Sequence, residues 1–189
     1  MKVLYIHGFN SDKNSSAKNL KKQLKHNVIS LTYNSLEYFN IIKDSLIKQA
    51  NKHNNKEDLI FVGTSLGGLY ANLIAGVLNS SAILINPVSD PINNLKQFLG
   101  KNKNFSTGEI WTLTEENLFS YEEFYHEKLY YQMPRVVILG KSDNIIDFKH
   151  SLDIWKDYAK IVITEDGHQL VNYKILCDEI YMINEYIAG

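Results

Sequence analysis

Residues 61–70 read "FVGTSLGGLY". The run "DLIFVG" (58–63) leads into them, and the small, apolar "LYANLIAGVL" (69–78) follows. A short apolar run reads as a buried strand, and a longer one with small residues reads as a helix pressed on a sheet. Between the two, Gly63-Thr64-Ser65-Leu66-Gly67 matches G-x-S-x-G. The pattern alone is weak, because small residues cluster in many turns. In a strand–turn–helix context it has a mechanism: a sharp turn holds the serine clear of the sheet, and its neighbours are small so that two backbones can pass. Gly63, Gly67 and Gly68 supply the small positions. The plainer reading of Ser65 is a turn residue that caps the helix.

Working outward, five more runs resemble residues 58–63: "KVLYIHG" (2–8), "NVISLTY" (27–33), "SAILINP" (81–87), "RVVILG" (135–140) and "AKIVITEDG" (159–167). Most are continuous and do not alternate, as expected of strands covered on both faces. Helical patterns lie between them, at 15–26, 36–52, 65–79, 145–158 and 170–187. In the second, Leu36, Phe39, Ile42, Leu46 and Ile47 fall near one face. Strand–helix alternation predicts an α/β domain with about six mostly parallel strands and right-handed crossovers. Residues 91–134 are too long for one crossover helix. They are expected to form a helical, aromatic-rich, cap-like insertion in a single domain spanning 1–189.

A nucleophilic serine needs a base, and the base needs an orienting acid. Of the six histidines, His26 and His53 lie at polar helix ends, His126 lies among glutamates, and His150 lies inside a helical pattern. His7 reads as a residue ordering the first loop. His168 follows the last strand directly, and loops at the carboxyl ends of parallel strands are where sites assemble. It is the candidate base. Asp143, three residues past Gly140, is the favoured acid. Asp90 and Asp147 are alternatives, and Asp143 also reads as a helix cap. The order Ser65, Asp143, His168 is that of α/β-hydrolases. The backbone N–H groups of Phe9 and Leu66 are the expected oxyanion donors.

The remaining composition excludes more than it identifies. The net charge of −1 gives no basic excess for phosphates, so nucleic acid is not an expected partner. No stretch approaches a membrane span. Cys177 is the lone cysteine, so no internal disulfide can form and a cytoplasmic setting fits. It lies in an apolar helical pattern and reads as a structural thiol.

The chain resembles the YqiA-like esterases, a small bacterial branch of the α/β-hydrolases. The resemblance rests on "LYIHGFNSDKNSSAK", "FVGTSLGGLYA", "INP", "LKQFLGKNKNFSTGEIW", "SDNIIDF" and "EDGHQL", which cover most of the chain in order. It departs from the family pattern around the acid, which reads "SDN", and at Gln169 after the histidine. The resemblance implies hydrolysis of carboxylic esters or acyl thioesters by Ser65, Asp143 and His168, through a covalent acyl-enzyme and without a cofactor or metal. The partner expected is then a small-molecule acyl ester or thioester. An interaction module built on the same fold, or a peptidase or acyltransferase, would carry the same residues.

Candidate pocket residues are Asn10, Asn86, Phe105, Trp111 and Phe124. The insertion is rich in aromatics, which either line an acyl pocket or pack the extra helices on the sheet. It also carries Glu109, Glu115, Glu116, Glu122, Glu123 and Glu127. That acidity disfavours a polyanionic substrate such as an acyl-CoA.

Overall fold

The computed structural model describes residues 1–11, 15–24, 27–54, 58–104 and 108–188. His26 and Phe105 therefore lie outside the described residues. The strands, in chain order, are β1 (Lys2–Ile6), β2 (Asn27–Leu31), β3 (Leu59–Thr64), β4 (Ser81–Ile85), β5 (Gly100–Lys103), β6 (Ile110–Leu113), β7 (Arg135–Gly140) and β8 (Lys160–Thr164). Six of them form one sheet in the order β2-β1-β3-β4-β7-β8, with every neighbouring pair parallel. These are the six runs expected from the sequence. Their continuous apolarity follows from burial on both faces: all six residues of β7 and all five of β4 are buried.

Helices α1 (Ser15–Gln23) and α7 (Tyr173–Ala188) cover one face. Leu20, Leu176 and Ile180 pack there on Val3, Val62 and Ile138. The other face carries α2 (Phe39–Asn51), α3 (Leu66–Val77) and α6 (Phe148–Trp155), packed on Leu4, Phe61, Leu84 and Val137. Phe39, Ile42 and Leu46 are buried as their spacing requires. Leu36 is not on that helix. A turn closed by Glu37 N–H on Asn34 O precedes it, so α2 starts at Phe39.

The sheet order reverses beside β1, whose neighbours are β2 and β3. In open parallel sheets such a point opens a crevice at the strands' carboxyl ends. The register aligns Ile6 with Gly63 and Thr64 with Ile85, so the loops after β1, β3 and β4 begin at one level.

The insertion is not wholly helical. Two short helices, α4 (Pro91–Leu95) and α5 (Glu115–Phe119), and 3-10 turns at Lys96–Phe98 and Ser120–His126 flank an antiparallel hairpin of β5 and β6. Its glutamates do not simply face water. Glu116 accepts from the Tyr38 hydroxyl, Glu123 from the Asn40 amide, and Glu127 pairs with Lys43, all on or beside α2. Tyr121 is a core residue, 1% exposed, with its hydroxyl 3.1 Å from that of Tyr70.

Where the insertion re-enters the sheet, Arg135 is buried. It donates to Asn72 Oδ1 (2.9 Å) and to the carbonyls of Ser80 (2.9 Å), Met133 (3.0 Å) and Tyr130 (3.1 Å). Burial lowers its pKa to about 10, so it stays charged at neutral pH. The carbonyl dipoles replace the lost water, and the segment before β7 is fixed along α3.

Candidate active site

Ser65 sits at φ 56° and ψ −123°, a conformation rare for a residue with a side chain. Close packing imposes it. A Cβ on Gly63 would lie 2.1 Å from Gly67 O, and one on Gly67 would lie 2.3 Å from Ile6 O. Gly68 faces Pro87 in the same way, at 2.9 Å. The first loop also abuts the serine: a Cβ on Gly8 would lie 3.3 Å from that of Ser65. Among the described residues, neither Phe9 N–H nor Leu66 N–H donates a hydrogen bond within the protein. An oxyanion hole requires two such free donors. Phe9 is fixed by Phe98 and by Trp111, with ring centroids 5.3 and 5.1 Å away.

His168 and Asp143 are brought into direct contact, with Nδ1 2.8 Å from Oδ2. The Asp143 side chain is wholly buried, and its other oxygen, Oδ1, accepts from Ile145 N–H (2.8 Å) and Ile146 N–H (2.9 Å). A carboxylate is an acceptor, so His168 donates from Nδ1 and leaves Nε2 with its lone pair. Those two backbone bonds occupy Ile145 and Ile146, and α6 begins later, at Phe148. The Asp143 and His168 loops approach closely because residue 140 is glycine: a Cβ there would lie 2.4 Å from Asp166 O.

The alternative acids are engaged elsewhere. Asp90 caps α4 through Asn93 and accepts from the Tyr125 hydroxyl. Burial and Asp90 together raise the Tyr125 pKa to about 12. Asp147 caps α6 through His150 N–H, 2.9 Å away. His126 and His150 are exposed. His7 is buried, with Nδ1 2.9 Å from Gly8 O and its ring stacked on Tyr33 at 4.5 Å. It orders the first loop.

The candidate pocket residues divide. Phe124 lines an apolar cavity beside α3. Asn10, at φ 54°, ties the first loop to the hairpin: its Oδ1 accepts from Trp111 Nε1 (2.8 Å), and its Nδ2 donates to Lys103 O (2.9 Å). Trp111 is thus an anchor for that loop.

Asn86 does work that the sequence does not show. It is buried at φ 43° after β4. Its Oδ1 accepts from Gly140 N–H (2.8 Å), and its Nδ2 donates to the carbonyls of Gly167 and His168 (3.0 Å each). Beside it, Ser65 N–H donates to Ile85 O (2.9 Å) and Val88 N–H to Ser65 O (3.1 Å). One amide therefore ties the loops that carry Asp143 and His168 to the end of β4, where Ile85 O accepts from Ser65 N–H. The only signal in the sequence is Asn-Pro ending a buried strand.

Asn86→Ala is expected to lower kcat by about 10²-fold, the scale for small misplacement of reacting groups. It should also cost about 1–3 kcal/mol by orphaning the buried Gly140 N–H. Thermal melts with steady-state kinetics check both. An unchanged kcat in a stable variant would contradict the coupling.

The fold and these loops define an α/β-hydrolase architecture. Est1E from Butyrivibrio proteoclasticus superposes with a TM-score of 0.73 at 16% identity, over 100% of this chain and 88% of that one. Alpha/beta hydrolase domain-containing protein 10 from mouse gives 0.67 at 16% identity, over 98% and 90% of the two chains. An esterase domain from Rhodothermus marinus gives 0.64 at 18% identity, over 98% and 84%. At such identities the likeness is one of fold. A model of the uncharacterised protein family UPF0227 matches residues 2–184. The chain belongs to that family, the YqiA family whose motifs it carries.

Proposed function

We propose that the protein is a serine hydrolase of acyl esters and acyl thioesters. The strained conformation of Ser65, against the first loop and at the strand end where Asn86 holds the loops of the His168–Asp143 pair, is the observation that carries this reading. Backbone strain of this kind persists only where the surroundings over-determine it, and it concentrates at functional sites.

Ser65 Oγ attacks the carbonyl carbon while His168 Nε2 takes its proton. The oxyanion accepts from Phe9 N–H and Leu66 N–H. As the C–O or C–S bond breaks, His168 returns the proton to the leaving alcohol or thiol, and the acyl group stays on Ser65. Water, deprotonated by His168, then attacks the acyl-enzyme. Ser65 leaves with the proton, and the acid is released. Asp143 holds the ring and its tautomer throughout.

The neighbours' names support ester chemistry: one is called an esterase domain, and an Est1E structure has ferulic acid bound. The insertion acts as a fixed cap, bonded to α2, α3 and the first loop. No helix among the described residues is long and apolar enough to cross a membrane. The protein works in the cytoplasm, where Cys177 stays reduced.

A panel of matched ester, thioester and amide substrates tests the reading. Turnover of the ester and thioester, with the amide far slower, is expected. Turnover of the amide alone, or of none of them, would overturn it.

A further inference from the structure

The Gly8–Phe9 peptide of the first loop starts against Ser65: a Cβ on Gly8 would lie 3.2 Å from Thr64 O and 3.3 Å from the Ser65 Cβ. The oxygen of that peptide is held twice. Gly8 O accepts from His7 Nδ1 at 2.9 Å and from Ser11 Oγ at 2.9 Å. We infer that Ser11 is a positioning residue of the oxyanion hole, an assignment that rests on the serine-hydrolase reading of Ser65. By fixing Gly8 O, its hydroxyl aims Phe9 N–H at the carbonyl oxygen of the acyl group.

Peptide geometry makes the connection. The Gly8–Phe9 bond is trans. A trans peptide is planar, with its C=O and N–H pointing in opposite directions. Two donors on the oxygen occupy both of its lone-pair directions, so the plane cannot turn without breaking a bond. Locking the oxygen on one side therefore locks the N–H on the other. Donors on a carbonyl also polarise the amide and strengthen its N–H. The neighbouring peptides are tied down separately. His7 O accepts from the Tyr33 hydroxyl at 2.9 Å, and Asn10 N–H donates to Ser35 Oγ at 3.4 Å. Phe9 N–H lies between them and has no such partner among the described residues.

The two donors to Gly8 O are not equivalent. His7 is buried and stacked on Tyr33, so it also fills space beneath the loop. Ser11 is half-buried, and its hydroxyl makes the bond to Gly8 O. Ser11→Ala therefore removes a hydrogen bond and little packing, which makes it the variant that isolates the aim of Phe9 N–H from the stability of the loop.

The test is steady-state kinetics with p-nitrophenyl acetate, together with inhibition by phenylboronic acid, on wild type, Ser11→Ala and Ser11→Thr. The oxyanion exists only along the reaction path, so Ser11→Ala should lower kcat and kcat/KM alike. A fall of about 10- to 100-fold is expected. Deleting an oxyanion donor costs about 10²- to 10³-fold, and here the donor remains and only its aim is lost. A boronate on the serine places an oxygen in the hole, so affinity for phenylboronic acid should weaken by a similar factor. Ser11→Thr keeps the hydroxyl and should restore both.

Thermal melts accompany each variant. Unchanged kcat and boronate affinity in Ser11→Ala would overturn the assignment while the hydrolase chemistry stands. So would a loss of kcat that leaves boronate affinity unchanged or that threonine does not restore. No ester turnover and no boronate adduct in folded wild-type protein would instead overturn the serine-hydrolase reading itself, and the oxyanion hole with it.

Discussion

Replacing Ser65 by alanine is expected to lower ester turnover by about 10⁵- to 10⁶-fold, the scale for removing the nucleophile of a serine hydrolase. The fold should survive. The side chain makes no hydrogen bond that the sheet depends on, and the turn is held by Ser65 N–H on Ile85 O and Val88 N–H on Ser65 O, which alanine keeps. Alanine also keeps the Cβ, and with it the strain at φ 56°. Ser65→Gly should be equally inactive yet more stable than Ser65→Ala. Strain of this kind costs about 1–3 kcal/mol, from which glycine's extra unfolded-state entropy, about 0.4–1 kcal/mol, is subtracted. Melts of the two variants measure the difference. Ester turnover at wild-type level in pure Ser65→Ala would end the assignment.

Asp143→Asn should lower kcat by about 10⁴-fold, the scale for losing the base's orienting acid. The hydrogen bonds of Asp143 explain the size of the loss. Oδ1 accepts from two backbone N–H groups, of Ile145 and Ile146. An asparagine must leave its oxygen there and turn its NH₂ towards His168. The ring then accepts at Nδ1 and carries its proton on Nε2, where a base needs a lone pair. The side chain is wholly buried, so no water can substitute. Asp90→Asn and Asp147→Asn are the controls. Both residues are helix caps, and asparagine caps about as well as aspartate, so turnover should stay within a few-fold and stability should change little. Loss of activity in Asp90→Asn with near-normal Asp143→Asn would move the acid to β4.

Much of the fold was legible because parallel strands are buried on both faces, which leaves uninterrupted apolar runs. The edge strands show the limit of the rule: β2 and β8 each mix buried with exposed or half-buried positions. The order of Ser65, Asp143 and His168 was legible because each follows a recognisable strand. The hairpin was not, because β5 reads "GKNK", with no apolar alternation to mark a strand. The acidity of the insertion was visible, but its purpose was not. Glu116, Glu123 and Glu127 meet partners on or beside α2 that are 78, 83 and 84 residues away in the chain. For Asn10 and Asn86, candidate pocket residues on sequence, the loop-joining contacts are tertiary and leave no local signal. Both have positive φ, and both spend their amides joining loops.

The central claim is that Ser65 is an activated nucleophile. Its most direct measurement is reaction of the folded protein with a small fluorophosphonate, followed by mass mapping of the labelled peptide. One adduct on Ser65 is expected, absent from Ser65→Ala and strongly slowed in His168→Ala, with melts showing both variants folded. An unlabelled Ser65 in folded wild-type protein, or labelling undiminished in Ser65→Ala, would contradict it.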